Sequence, residues 1–388
     1  MELPKPTQQD CAMFDFIEGI KLHNYTKFVK TLLDDYKRQA GDFERERGYP
    51  PTSVDEAGKL IQSNGLFPFA ASIAYYSQAY MWTAARDSLV PHTNHLLAME
   101  DELRPVNPKG KLELNPGIHL PRWFTEIDTH LQKGGYGGDP LVAFIYQRGL
   151  PIFRTRWRKP GYPKETFIAF AHMAPRRDYK RILDMGCAAG GSTMILREAF
   201  PEAEEVIGID LAAQALKWGH VAAERRGLAI TLAQRDAADT GYPDESFDLV
   251  SSHFLYHETP LDVMMQSLRE AYRLLKPGGH LLIMELPWYK SVPPEYAFLL
   301  DFDTWGNGEP FLGPTHSVDA PAILSEIGFA DVREAPNPYY DASYWGGVGL
   351  MRTGEFFPWH RWVTQADKPL SKTATVTRSA SAASRHKP

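Results

Sequence analysis

The residues best suited to chemistry are acidic side chains that end short apolar runs. The first run, residues 181–185, carries Asp184 and passes at once into a turn of small residues, Gly186-Cys187-Ala188-Ala189-Gly190-Gly191. Small residues let the backbone approach a bound molecule closely, and glycine tolerates the dihedral angles of a sharp strand-to-helix turn. The pattern therefore predicts a parallel strand whose carboxyl end brings a carboxylate and a glycine turn to a ligand.

The charge at this turn restricts the ligand. A dinucleotide fold directs backbone amides at a pyrophosphate here, and the Asp184 carboxylate would repel that group. A carboxylate suits a ligand with a cationic amino group, and S-adenosylmethionine is such a ligand. The spacing of Gly186, Ala188 and Gly191 also fits the G-x-G/A-x-x-G turn of dinucleotide-binding enzymes. The turn alone leaves both ligands open.

Further motifs follow at regular intervals. Asp210 ends a second apolar run, and Asp236-Ala237 follows a third. A carboxylate at the second position can accept both hydroxyls of a ribose, in dehydrogenases as well. An acidic run at 244–248 leads into a fourth apolar segment, and the turn Lys276-Pro277-Gly278-Gly279 opens a fifth. The alternation of strands and helices predicts a doubly wound parallel sheet.

In this order and spacing, residues 165–288 resemble the class I, Rossmann-like, S-adenosylmethionine-dependent methyltransferases that act on small molecules. The resemblance implies an α/β fold with a doubly wound, mostly parallel seven-stranded sheet whose last strand is antiparallel, and we expect an N-terminal helical region beside it. One position departs from the family pattern, because Ala188 occupies the central glycine slot.

The resemblance also implies a binding site for the methyl donor. Asp184 and the backbone of 186–190 would hold the methionine part, Asp210 the ribose hydroxyls, and Asp236 the adenine amino group. The implied cofactor-binding residues are Asp184, Gly186, Cys187, Ala188, Gly190, Asp210, Leu211, Asp236, Ala237, Ser252 and His253. Each acid also has an ordinary explanation as a turn or helix-cap residue.

Two histidines are candidate catalytic bases. His253 and His257 follow the fourth strand, and a neutral imidazole near pH 7 can accept a proton from a methyl acceptor. Many relatives carry a histidine like His257 without using it in chemistry. We predict no metal site, because no third ligand stands at a recognisable spacing from this pair.

Aromatic residues after the fifth strand are candidate substrate contacts, since aromatic edges favour flat or apolar acceptors. The substrate-binding candidates are Trp288, Tyr289, Trp305 and Tyr340. A role in the core or in an interface explains such residues equally well.

Composition limits the class of partner. The 388 residues are 43% hydrophobic and 23% charged, and the net charge of −6 provides no basic field to attract nucleic acid or anionic lipid. The start of the chain lacks a secretory signal pattern, no apolar run is long enough to span a bilayer, and two cysteines cannot form a disulfide framework. We therefore expect a cytoplasmic protein with a small-molecule substrate and neither a nucleic-acid nor a membrane partner; a homodimer stays open.

Three regions are expected. Residues 1–120 form a helical accessory or lid region, residues 121–365 the S-adenosylmethionine-binding methyltransferase domain with a substrate cap at 286–316, and residues 366–388 a disordered tail rich in small polar residues. The expected function is methyl transfer from S-adenosylmethionine to a small organic acceptor, with a hydroxyl or carboxylate oxygen favoured. The alternatives are C- or N-methylation, an NAD(P)-dependent oxidoreductase, and a non-catalytic or pericyclic descendant of the fold.

Overall fold

A twisted sheet of eight strands forms the centre of the computed structural model, which describes residues 3–102, 106–137, 139–153, 162–337 and 361–370. The strands are β1 (Lys111–Glu113), β2 (Arg181–Met185), β3 (Glu205–Asp210), β4 (Thr231–Gln234), β5 (Phe247–His253), β6 (Leu275–Glu285), β7 (Ala330–Pro336) and β8 (Trp362–Asp367). Their order is β1-β4-β3-β2-β5-β6-β8-β7, in which β8 runs antiparallel to β6 and β7 and the other neighbouring pairs are parallel. This confirms the predicted fold class.

Helices cover both faces of the sheet. They are α8 (Tyr162–Ala171), α9 (Gly191–Ala199), α10 (Ala213–Arg225), α11 (Leu261–Leu274) and α14 (Ala320–Ile327). Because both faces are covered, the central strands are apolar on both sides. Leu183 and Ile182, neighbours on β2, face different apolar clusters, and neither has any exposed surface.

The N-terminal region is helical, as predicted, and it extends past the predicted boundary at residue 120, because α7 packs against α1 and α4. Its helices are α1 (Gln8–His23), α2 (Lys30–Arg47), α3 (Val54–Gln62), α4 (Phe67–Asp87), α5 (Thr93–Glu102), α6 (Arg122–Thr125) and α7 (Val142–Phe153), with a π-helical segment at Asn24–Val29 between the first two. The Thr7 hydroxyl and the Asp10 carboxylate cap the start of α1 reciprocally. Ser53 caps the start of α3, since its hydroxyl accepts from the Glu56 amide.

The segment after β6, predicted as a cap at 286–316, is largely helical. It contains α12 (Pro294–Gly306) and α13 (Leu312–His316). Helix α12 packs against α3, where Gly58 lies directly under the Phe298 ring. The cap therefore contacts both the N-terminal region and the elements around the sheet.

Two further boundaries differ from those predicted. Strand β1 adds an edge strand from the stretch assigned to the N-terminal region, and β8 continues to Asp367, inside the predicted tail. Helix α14 begins at Ala320 with Asp319 as its cap. The tail from residue 371 lies outside the described residues. In the described parts of the chain, we find no helix with the length and apolarity needed to cross a membrane.

Candidate active site

The turn after β2 has the backbone geometry of a close approach to a ligand. Gly186 and Gly190 adopt φ of +70° and +68°, and the amides of Gly186 and Cys187 both donate to the Ile209 carbonyl at 2.9 Å. Ala188 has φ of +47°, a left-handed conformation that costs an L residue about 1–2 kcal/mol. The missing central glycine thus leaves the turn intact but strained.

Asp184 lies behind this turn rather than in it. The residue has no exposed surface, its Oδ2 accepts from the hydroxyls of Ser192 and Thr193 at 2.6 Å each, and its Oδ1 lies 3.3 Å from His253 Nδ1. A direct bond to the amino group of a donor, as the resemblance implies, needs an accessible oxygen. The burial argues against that contact and favours a role in fixing the start of α9 against β2.

Asp210 lies at the carboxyl end of its strand, beside the turn. It ends β3, and its two oxygens accept from the Ala188 and Ala212 amides, each at 2.8 Å. Burial raises the pKa of this carboxyl, against the lowering effect of the backbone hydrogen bonds. The Leu211 amide also donates to this carboxylate, which has about four lone-pair positions, so a position remains for a hydroxyl. The neighbouring Leu211 is buried.

The other implied donor contacts surround the same edge of the sheet. Asp236 follows β4, and its Oδ1 accepts from the Ala238 amide at 2.8 Å, beside the half-buried Ala237. Ser252 and His253 end β5 next to the turn. Cys187 packs against Gly208, and burial raises the pKa of its thiol well above the ordinary value, so the thiol is an inert packing group.

His253 is enclosed by protein. Its ring packs edge-on against Phe167 and Phe170, with centroids 5.1 and 4.4 Å away, and its Nδ1 faces Asp184. This environment makes His253 a packing and hydrogen-bonding group behind the turn, which argues against the catalytic role expected for it.

His257 has a different environment. It lies in a short 3₁₀ turn after β5, and its Nδ1 is 2.5 Å from Oε1 of Glu285, the last residue of β6. Burial alone would lower the pKa of His257, but the carboxylates of Glu285, Glu258 and Glu309 together outweigh it and raise the pKa to about 9. The ring is therefore protonated at pH 7, in contrast to the neutral imidazole that we expected.

His257 belongs to a buried polar cluster that the sequence analysis missed. Its Nε2 lies 3.5 Å from Glu258 Oε1, which also accepts from the Tyr136 hydroxyl at 2.9 Å and from His130 Nε2 at 2.8 Å. Glu285 ends an apolar strand with an acid, as Asp210 does, so the same rule could have identified it. No local pattern indicates His130 or Tyr136, since both reach Glu258 across more than 120 residues of chain.

His316 closes the cluster on the cap side. Its ring stacks on Trp288 with centroids 4.7 Å apart and lies 6.1 Å from the His257 ring. Burial lowers the pKa of His316 to about 4, and the nearby Glu285 carboxylate only partly opposes this effect. His316 is therefore neutral beside a protonated His257.

The aromatic substrate candidates are dispersed. Trp288 is 1% exposed and donates from Nε1 to the Thr364 hydroxyl at 3.0 Å, so it is a core residue and not a substrate contact. The Tyr289 hydroxyl donates to Asp301 at 3.1 Å. Trp305 is 53% exposed and stacks on Tyr75 at the surface. Tyr340 lies outside the described residues.

The geometry suits a nucleoside with an attached amino acid. The left-handed turn, the Asp210 carboxylate and Asp236 lie at the carboxyl ends of adjacent parallel strands, and His257 and Glu285 lie at the ends of the next two. Within the described ranges, no group of three or more His, Cys, Asp or Glu side chains is arranged to hold a metal ion. The residues present fit an organic cofactor, which the turn backbone, Asp210 and Asp236 would hold.

Comparisons with known proteins agree with this arrangement. A family model described as a methyltransferase domain matches residues 182–279. A demethylmenaquinone methyltransferase of Thermus thermophilus is 36% identical over 159 residues, which cover 41% of this chain and 65% of that protein. The corresponding protein of Geobacillus kaustophilus is 35% identical over 195 residues, covering 45% of this chain and 78% of its own length.

A longer match has lower identity. A highly reducing polyketide synthase of Aspergillus aculeatus is 26% identical over 357 residues, covering 79% of this chain but 14% of that protein. The chain spans 65% of the Thermus protein and about half of two further demethylmenaquinone methyltransferases. With the strand order, the glycine turn and the acids at the strand ends, these matches show that the chain belongs to the class I S-adenosylmethionine-dependent methyltransferases.

Proposed function

We propose that this protein transfers the methyl group of S-adenosylmethionine to a small organic acceptor whose proton is removed by His257. The observation that carries the proposal is the buried contact between His257 and Glu285, 2.5 Å apart, at the carboxyl ends of β5 and β6. A carboxylate and a free amine can accept a methyl group without a base, so this pair indicates a more weakly acidic hydroxyl or carbon.

We propose that the methyl donor binds at the carboxyl ends of the same parallel strands. Asp210 would hold the ribose, Asp236 and the Ala237 amide the adenine, and the backbone of 186–190 the methionine part. Asp184 would act indirectly, by fixing this backbone through Ser192 and Thr193. When bound, the donor supplies an electrophilic methyl group and leaves as a thioether.

His257 provides the proton acceptor. Its Nδ1 is engaged by Glu285, so Nε2 takes the proton from the acceptor in the neutral form of the ring, whose fraction increases as the pH rises toward the His257 pKa of about 9. The Glu285 carboxylate stabilises the imidazolium that forms, as the acid of a hydrolase triad does. The electron pair left on the acceptor forms the new bond to the methyl carbon.

Carbon is our first proposal for the acceptor atom, with oxygen as the alternative. The sequence analysis favoured oxygen, but the names of the relatives favour carbon acids. Demethylmenaquinone carries a quinone ring, and a polyketide carries acidic carbons between carbonyl groups. The polyketide synthase match covers more of this chain than residues 121–388 comprise, so it also includes part of the N-terminal region.

Small acceptors are favoured over macromolecular ones. The net charge of −6 offers no field for tRNA or DNA. A cytoplasmic location and a homodimer stay predictions.

One experiment with a ¹³C-methyl-labelled donor tests the proposal. The protein is incubated with 1,3-dicarbonyl, phenol, carboxylic acid and amine acceptors, and the chemical shift of the transferred carbon identifies the acceptor atom. His257→Gln is expected to reduce turnover about 10²-fold or more while calorimetry shows unchanged affinity for S-adenosylhomocysteine. Normal turnover of His257→Gln would remove the base from the mechanism.

Asp210→Ala provides the matched test of the donor site. We expect it to weaken binding of S-adenosylhomocysteine by about 1–3 kcal/mol. Asp244→Ala is the control, because Asp244 is an exposed residue paired with Arg273 and distant in sequence from the turn. Equal affinity of both variants, or tight binding of NAD instead, would contradict the donor assignment.

A further inference from the structure

His130 connects three parts of the molecule inside the candidate active site. It lies between α6 and α7, yet its Nε2 is 2.8 Å from Glu258 Oε1 in the loop after β5. Its Nδ1 is 3.1 Å from Oε1 of Glu309, which follows α12 in the cap. One buried imidazole thus bridges two carboxylates that belong to different segments.

The backbone holds His130 in this position. His130 and Leu131 are consecutive non-glycine residues with φ of 59°. Such conformations persist only where the surroundings enforce them, and they cluster at functional sites. The His130 amide donates to the Gly308 carbonyl at 2.8 Å, so the cap enforces the conformation from one side.

The N-terminal helices enforce it from the other side. Gln78 of α4 donates from Nε2 to the His130 carbonyl at 3.3 Å, and Lys21 of α1 donates from Nζ to Gln78 Oε1 at 2.6 Å. Both side chains are buried. A continuous chain of hydrogen bonds therefore runs from α1 to the active-site cluster.

His130 is electrostatically connected to His257. Glu258 Oε1 is a neighbour of both imidazoles, at 2.8 Å from His130 and 3.5 Å from His257. The charged and titratable groups that face His257 are Glu285, Glu258, Glu309 and His316, and those that face His130 are Glu258, Glu309 and Tyr136.

The charge of His130 is set by this environment. Burial opposes protonation, but Glu258 and then Glu309 outweigh it and raise the pKa of His130 well above its ordinary value. A cation at this position offsets the two carboxylates. Without it, their negative potential at His257 would increase.

We infer that His130 is a positioning residue: its imidazolium holds Glu258 and Glu309 in place and thereby sets the proton affinity of His257. The N-terminal region is then part of the catalytic machinery and more than a lid. The inference deepens the proposed function, on which its catalytic meaning rests, but the electrostatic coupling can be measured without any acceptor.

The test is an NMR titration of protein labelled with ¹³C-histidine, in which the His257 signal is identified by its loss in His257→Gln. Asparagine tolerates left-handed backbone angles, so His130→Asn removes the charge without imposing new strain. We expect it to raise the pKa of His257 by about one unit. Glu309→Gln alone should lower that pKa, and the double variant should return it close to the wild-type value.

The return of the His257 pKa to its wild-type value in the double variant distinguishes the inference from a purely structural role of His130. A structural role predicts that Glu309→Gln cannot correct the effect of His130→Asn. An unchanged His257 pKa in folded His130→Asn, as judged by circular dichroism and thermal melting, would overturn the inference. If His130→Asn fails to fold, an unchanged His257 pKa in Glu309→Gln would overturn it equally.

Activity measurements keep the two proposals apart. If methyl transfer also occurs, the acidic limb of the kcat/KM profile should move with the measured pKa. If the His257 pKa shifts in the variants but no acceptor is methylated, this inference stands and the proposed function is contradicted. If an acceptor is methylated but the His257 pKa does not shift in the variants, the proposed function stands and this inference is contradicted.

Discussion

Ala188 occupies a backbone conformation that favours glycine. Its φ of +47° lies in the left-handed region, where a Cβ is crowded. The nearby Gly186 and Gly190 also have positive φ but carry no Cβ. Ala188→Gly should relieve this strain, and the gain should exceed the entropy that glycine adds to the unfolded chain. We expect an increase of about 0.5–1 kcal/mol in the free energy of unfolding, measured by denaturant titration.

The neighbouring alanine provides a control for this substitution. Ala189 has no positive φ and packs against an apolar cluster of the N-terminal region. Ala189→Gly should therefore destabilise the protein. A loss of stability in Ala188→Gly as well would show that the turn is not strained.

The raised pKa of His257 predicts a pH dependence of stability. A histidine has a pKa near 6.5 when unfolded, whereas that of His257 is about 9 in the folded protein. The stabilisation by its proton is fully present below pH 6.5 and is lost as the pH rises to 9. Between these values His257 alone should lower the free energy of unfolding by about 1.4 kcal/mol per pH unit.

The contribution of His257 is isolated by comparison with a variant. His130, whose pKa is also raised, contributes a slope of the same sign in both proteins. His257→Gln should therefore have a shallower slope between pH 7 and 9 than the wild type, measured by denaturant titration at each pH. Parallel slopes would mean that His257 is neutral in the folded protein.

At the level of elements, the contact of α3 with α12 depends on a glycine. A Cβ added at Gly58 would lie 2.7 Å from Cδ2 of the Phe298 ring, which is inside van der Waals contact. Gly58→Ala should force the two helices apart and lower the free energy of unfolding by about 1–3 kcal/mol. Calorimetry of the purified variant measures this change.

Gly19→Ala is the matched control, because Gly19 also lies inside a helix but a Cβ added there would have no neighbouring atom within 4 Å. Alanine is the better helix former by about 1 kcal/mol, so this variant should be more stable. Equal effects of the two substitutions would show that the contact between α3 and α12 is loose.

The catalytic half of the fold was predictable because its signals are local. An apolar run that ends in an acid identified the ends of β2 and β3, and alternating strands and helices gave the parallel sheet. The short edge strand β1 was missed, because its three residues, Lys111–Glu113, become a strand only by pairing with β4.

The buried polar cluster around His257 was only partly predictable, because most of its contacts join residues far apart in the sequence. His257 follows a recognisable strand, whereas the position of His130 depends on a left-handed backbone held by Gly308 and Gln78. Contacts between such distant residues have no counterpart in local periodicity. Asp184 differs from His130, because a local motif identifies it. Its burial, however, depends on the packing of α9 and is not visible in that motif.

At the scale of the whole molecule, the N-terminal helices and the catalytic sheet share an apolar core. Ile17 of α1, Trp82 of α4 and Ile145 of α7 are buried in one cluster with Trp218, which belongs to α10 of the catalytic half. The Trp218 ring packs edge-on against Phe144, with centroids 4.7 Å apart. Such a shared core predicts that both regions unfold together.

Trp218→Ala tests this cooperativity. The wild type should show one calorimetric transition that coincides with the loss of near-ultraviolet circular dichroism. The substitution removes a large buried ring and should lower the free energy of unfolding by about 3–5 kcal/mol. Because the lost contact joins the two regions, we expect the transition to broaden or divide in two.

Trp305→Ala is the control for the loss of an indole, since Trp305 is half exposed on the cap and lies outside the shared core. It should leave a single transition with a smaller loss of stability. Two transitions in the wild type would show that the N-terminal region folds independently. His130 would then reach Glu258 from a separately folding unit, and local opening of that unit would disconnect it from the catalytic cluster.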